Sequence, residues 1–123
     1  MKFYCEITSW GEAALSFLED PEANFIIIFN NSASAELAEI SVLHTTANYN
    51  ADPAVGDTLI ICDKVFNITA IGDEVLHTLK ELGHCTLSFK GGREPERPGC
   101  IMLDGDVPLV REDVRMGATI EIY

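Results

Sequence analysis

Hydrophobic and polar positions alternate along most of this chain with the two-residue period of half-buried strands. Lys2 to Ser9 puts Phe3, Cys5 and Ile7 on one face and Tyr4, Glu6 and Thr8 on the other, which predicts a first strand with one solvated side. Trp10-Gly11 interrupts the pattern. Glu12 to Leu18 then predicts a short helix or turn, stopped before Pro21. Asn24 to Asn30 contains Phe25-Ile26-Ile27-Ile28-Phe29, a strand apolar on both faces that must be covered on both. Ser34 predicts the N-cap of a helical turn carrying Glu36 and Glu39. In Ile40 to Thr46 the alternation places Ile40, Val42, His44 and Thr46 on one face, and Ser41, Leu43 and Thr45 on the other.

The second half continues in the same manner. Thr58 to Cys62 and Val65 to Ile71 predict a hairpin turning at Asp63-Lys64. Asp73 to Leu82 is the clearest helix, with Asp73 as N-cap, an apolar stripe of Val75, Leu76, Leu79 and Leu82, and Gly83 as C-cap. His77 lies away from that stripe and reads as a solvated helix residue. His84 to Phe89, Cys100 to Leu103 and Ala118 to Tyr123 predict further strands. About seven short strands and two short helices, with turn signals at regular spacing, point to a mainly β fold, a small β-barrel or sandwich. The 123 residues suit one domain, 1–123, with no repeat or linker.

Charge changes the picture of partners. Eight basic against twenty acidic residues give a formal charge of -12, which argues against nucleic acid and anionic membrane surfaces. No apolar run approaches the length of a membrane span, and Met1-Lys2-Phe3 leads into a strand pattern without the apolar core of a signal peptide. Both features predict a cytoplasmic protein. Cys5, Cys62, Cys85 and Cys100 form no C-x-x-C pair and read as free buried thiols. The adjacent pair His84-Cys85 would point to opposite faces of a strand, so no metal site is predicted. The Gly91-Gly92 loop lacks the following Lys-Ser/Thr of a phosphate-binding loop.

That leaves His44 as the residue best suited to chemistry near neutral pH. It continues a row that begins in the core and stands where a strand gives way to a polar loop. The pattern predicts a rim position, with the imidazole held on a rigid element and one ring nitrogen reachable. A histidine so placed is also, and commonly, a packed residue whose nitrogens have simply found partners.

Two blocks of sequence carry a resemblance. One is Leu43-His44 after a Glu-rich turn. The other is Ile68-Thr69-Ala70-Ile71-Gly72, then Leu79-Lys80-Glu81-Leu82-Gly83-His84-Cys85-Thr86-Leu87-Ser88-Phe89-Lys90-Gly91, then Pro98-Gly99. With these blocks the chain resembles, nearly end to end, the glucitol/sorbitol-specific IIA components of the bacterial phosphoenolpyruvate:sugar phosphotransferase system. The resemblance implies a phosphoryl relay without a cofactor. A histidine-containing phosphocarrier protein would donate to His44, and His44 would pass the group to the IIB domain of a membrane sugar permease. A neutral imidazole offers a nucleophilic nitrogen at neutral pH. Thr46, on the face of His44, is a candidate phosphate-positioning donor. Thr45 is another if the strand ends at His44, and His84 is a second-histidine candidate. The pair of threonines departs from what relatives often carry at those positions. Two other classes stay open on the residues alone: a non-catalytic small-molecule-binding or regulatory β-barrel in which His44 only packs, and a metal module using His44, His84 and a cysteine. The two-faced apolar strand Phe25–Phe29, with Leu59-Ile60-Ile61, also predicts a homodimer unless Glu12–Leu18 folds over it.

Overall fold

The computed structural model describes residues 1–123. In chain order the elements are β1 (Phe3–Trp10), α1 (Ser16–Glu19), β2 (Phe25–Asn30), α2 (Ala35–Glu39), β3 (Val42–His44), β4 (Asn48–Tyr49), β5 (Thr58–Ile61), β6 (Lys64–Ile71), α3 (Val75–Leu82), β7 (Cys85–Ser88), β8 (Cys100–Asp104), a 3-10 turn (Arg111–Asp113) and β9 (Thr119–Ile122). The strands run β3-β2-β7-β8-β6-β5-β9-β1, and a pairing of β3 with β1 closes them into a barrel of eight. Closure removes the exposed sheet edges that invite edge-to-edge association. The barrel predicted from the pattern is therefore present, with one strand more than the estimate of seven, the two-residue β4 beside β1, and a third short helix.

The alternation seen in sequence is the inside–outside alternation of the wall. Phe3, Cys5 and Ile7 of β1 point inward, as do Ile26 and Ile28 of β2, Leu59 and Ile61 of β5, and Ile120 and Ile122 of β9. An eight-stranded barrel is narrow enough for such side chains to fill it. Most neighbours are antiparallel; β2–β3 and β7–β8 are parallel. The parallel β2–β3 pair is what brings Asn30 beside His44.

β1 is shared between partners. One edge pairs with β9, and the other pairs first with β4 and then with β3. A bulge between Ile7 and Ser9 bends the strand where it changes from one task to the next. Thr45 to Ala47 interrupts the opposite edge, separating β3 from β4.

Three local expectations are corrected. The β5–β6 hairpin turns at Cys62-Asp63, not at Asp63-Lys64, because Ile61 pairs with Lys64. Both turn residues take positive φ, 51° and 70°, the geometry of a primed hairpin turn built without glycine. Helix α3 is capped at its start by Glu74, without a side-chain cap bond, rather than by Asp73. Its stripe is also half as deep as predicted: Val75 and Leu79 are buried, while Leu76 and Leu82 stay exposed.

The outer face of β2 is covered in part from within the chain. Phe17, just inside α1, stacks on Phe25 with ring centroids 4.8 Å apart, and the His84 ring lies 4.8 Å from that of Phe29. Ile27 remains half-buried on that wall. The α1 segment thus covers part of the strand through Phe17, the arrangement weighed against a second copy.

Candidate functional site

His44 is the last residue of β3, and its side chain turns inward with Val42. The expected rim position is corrected here: the residue is 0 % exposed. Its ring meets Phe3 edge-on at 6.3 Å. Both nitrogens face backbone carbonyls, Nδ1 at 2.6 Å from Thr45 O and Nε2 at 2.7 Å from Gly83 O. Sequence alternation gave the correct face. It carried no information about what would close over that face.

The cover is the end of α3. Gly83 follows the helix in the left-handed region, φ 61° and ψ 29°, and its N–H bonds Leu79 O while the next N–H, of His84, bonds Thr78 O. This is the helix ending for which glycine is suited. The same residue is pressed against the imidazole: a Cβ at position 83 would lie 2.5 Å from Cε1 and 2.9 Å from Nε2 of His44. Gly83 thus satisfies two demands, one of backbone conformation and one of space. The first was legible in the sequence; the second was not.

Two carbonyls around one imidazole limit what it can do as it stands. A neutral ring has a single N–H, so it can donate to only one of the two oxygens; the doubly protonated ring donates to both. Either way, no nitrogen lone pair is open to an incoming group until one carbonyl withdraws.

Thr45 has a hydrogen-bonding role away from any ligand. Its N–H donates to Glu6 O at 2.9 Å, and its Oγ1 accepts the N–H of Glu6 at 3.0 Å. Thr46 is exposed. His84 is half-buried beside Gly83, with Nδ1 at 3.1 Å from Ile28 O, so the strand β2 holds its ring from the side. His77 is exposed on α3. No group of three or more His, Cys, Asp or Glu side chains converges to hold a metal ion. The four cysteines are free and buried; burial pushes the Cys62 thiol up to about 11 and those of Cys5 and Cys85 further still. As weak nucleophiles they do not compete with a histidine.

The barrel superimposes on a solved structure, that of a PTS system IIA component from Enterococcus faecalis V583, with a TM-score of 0.75 at 23% identity, covering 96% of this chain and 97% of that one. The fold is thus that of a IIA component. Sequence comparison carries the assignment further. The family model of the PTS system glucitol/sorbitol-specific IIA component matches residues 2–121. Glucitol/sorbitol-specific EIIA components of Escherichia coli K12 and Shigella flexneri are each 30% identical to it over 115 residues, which is 94% of this chain and 89% of the relative. The chain belongs to the family of glucitol/sorbitol-specific IIA components, and it is a phosphoryl-relay component of a sugar phosphotransferase system. No helix is long and apolar enough to cross a membrane.

Proposed function

We propose that His44 is the residue that carries the phosphoryl group. On this reading the group arrives from a histidine-containing phosphocarrier protein and leaves to the IIB domain of a membrane permease, in the cytoplasm, with glucitol or sorbitol as the transported sugar. The observation that supports His44 over His77 and His84 is its fixation. Its ring is buried and set between the Thr45 and Gly83 carbonyls, whereas His77 is solvated and His84 is turned against β2. Phosphoryl transfer asks chiefly for positioning and charge stabilisation, which a rigid wall residue supplies.

The step balances without a proton leaving. The lone pair of one His44 nitrogen forms a new N–P bond, while the P–N bond of the donor phosphohistidine breaks and its electron pair returns to the donor imidazole. The other His44 nitrogen keeps its proton throughout. Thr46, exposed one residue past the two Thr45–Glu6 bonds, is the proposed hydroxyl donor to the phosphoryl oxygens. His84 is the proposed supporting ring.

A second reading has its own observation. Complete burial and two carbonyl partners are also what a purely structural core histidine shows, in a barrel that binds or regulates without chemistry. Incubation with phosphoenolpyruvate, the first enzyme of the system and the phosphocarrier protein separates the two. The relay reading expects an acid-labile phosphate on the wild type and none on His44→Ala. Full labelling of His44→Ala transfers the assignment to His84, and an unlabelled wild type favours the structural barrel.

We also retain the homodimer as a proposal, on the half-buried outer wall at Ile27. Light scattering at micromolar concentration tests it: a mass near 13.5 kDa speaks for the monomer, and twice that for the dimer.

A further inference from the structure

In a regular antiparallel ladder, Glu6 and Thr45 would exchange two backbone bonds, each N–H donating to the other's carbonyl. Only one of these is made, from Thr45 N–H to Glu6 O. The second is replaced: the Glu6 N–H donates to the Thr45 hydroxyl oxygen. The Thr45 carbonyl is thereby released from the ladder, and it is this oxygen that lies 2.6 Å from His44 Nδ1. The side chain of Thr45 has taken over a backbone acceptor's place in the sheet, so that the backbone acceptor can serve the imidazole.

We propose that Thr45 is a positioning residue for His44: its hydroxyl substitutes for its own carbonyl in the β1 ladder, and the freed carbonyl holds the proton on Nδ1. The inference rests on the reading of His44 as phosphoryl acceptor. It also selects the reacting nitrogen. The Thr45 carbonyl belongs to the residue next to His44, and that residue is tied to β1 at two points, through its N–H and its hydroxyl, so the carbonyl stays with the ring. The carbonyl on Nε2 belongs to Gly83, at the end of a helix that buries only Val75 and Leu79. The Gly83 carbonyl is therefore the one that withdraws, and Nε2 presents the lone pair.

The arrangement has an electrostatic use as well. As Nε2 bonds to phosphorus, positive charge spreads over the ring to the Nδ1–H, and the Thr45 oxygen stands where that charge develops. The position of Thr45 just after His44 suggested a different task in the sequence, donation to phosphate if the strand ended at His44. The structure commits the acceptor side of this hydroxyl to Glu6 and its carbonyl to the ring.

Two substitutions and one spectrum test this. Thr45→Ser keeps the hydroxyl, and Thr45→Val keeps the shape without it. With nitrogen-15-labelled histidine, wild type and Thr45→Ser are expected to show neutral His44 with its proton on Nδ1 and, after labelling, phosphate on Nε2. Thr45→Val, in which the Glu6 N–H can recapture the carbonyl, is expected to lose the fixed tautomer and to be phosphorylated roughly tenfold or more slowly. Thr45→Ser should restore the rate to within about twofold. Phosphate on Nδ1 of the wild type would overturn the proposal, and so would Thr45→Val with the wild-type tautomer and rate. The spectrum of the unphosphorylated wild type alone decides the clamp if Thr45→Val does not fold. The tautomer result stands even if another histidine carries the phosphate, so failure of the clamp and failure of the relay reading are distinguishable.

Discussion

A glycine and a histidine decide most of what can happen at the site. Gly83→Ala would put a methyl group 2.5 Å from a ring set between two backbone carbonyls, at a φ of +61° that alanine tolerates poorly. The left-handed conformation alone costs about 1 kcal/mol, and displacement of the ring adds to it. We expect Gly83→Ala to lower the urea midpoint and to alter the His44 imidazole resonances in the same sample. A variant with unchanged midpoint and resonances would mean that the Gly83 backbone yields without disturbing the ring. His84→Gln belongs to the same scale. Loss of one supporting donor should slow phosphoryl transfer by roughly one to two orders of magnitude while leaving stability nearly unchanged. An unaltered transfer rate would show that this ring only packs between Phe29 and the Ile28 carbonyl.

Among the elements, the β5–β6 hairpin and α2 show where local chemistry fell short of its best choice. Asp63 sits at φ 70° in a primed turn, where glycine bears no steric penalty. Its ion pair with Arg115 is exposed at 3.3 Å and contributes little. Asp63→Gly is therefore expected to stabilise the protein by a few tenths to about 1 kcal/mol, with an unchanged denaturant slope. A clear loss of stability would mean that the Arg115 contact outweighs the backbone. In α2 the Ser34 oxygen accepts the Leu37 N–H at a long 3.4 Å, so Ser34→Ala should cost no more than about 1 kcal/mol. The prediction of Asp73 as the N-cap of α3 failed for a related reason. The chain enters that helix through a turn in which Glu74 N–H bonds Pro98 O, so tertiary contact displaced the start by one residue.

For the whole molecule, carboxylates bound to cations tie distant segments together. Burial alone would raise the pKa of Asp57, but bonds from Lys2 Nζ and the Ala54 N–H hold it below the usual range. Asp113 is likewise lowered against burial, by the Val110 N–H and Lys64. Glu96 is lowered by the Ser88 hydroxyl and then by Lys90. A carboxylate whose pKa is depressed by folding contributes stability that is fully present above its unfolded pKa of roughly 4 and is lost as pH falls through the folded value. Denaturation midpoints should therefore fall below about pH 4, and Lys2→Met should reduce that acid dependence. Since these groups are partly solvated, each pair is worth on the order of 1 kcal/mol or less. An acid decline as steep in Lys2→Met as in the wild type would exclude the Lys2–Asp57 pair as a contributor. The buried thiols give a further check: the folded protein should resist iodoacetamide at neutral pH, and all four cysteines should react in denaturant.

The barrel was legible in the chain because strand alternation is a local property. Phe3-Cys5-Ile7, Leu59-Ile61 and Ile120-Ile122 declare their inner face whatever strand lies beside them. The family was legible in the block from Leu79 to Gly91, and the inward face of His44 in the row that begins at Val42. The surroundings of His44 were not, because they are assembled from segments far apart in the sequence. Closure of β3 onto β1 supplies Glu6, which takes the Thr45 hydroxyl and frees its carbonyl. The docking of α3 supplies Gly83, whose carbonyl covers Nε2. Alternation specifies which way a side chain points, but the partner it meets depends on which strands become neighbours and where a helix ends. The sequence alone determined an inward histidine on a β wall; only the tertiary structure decided that both its nitrogens are covered, and by which carbonyls.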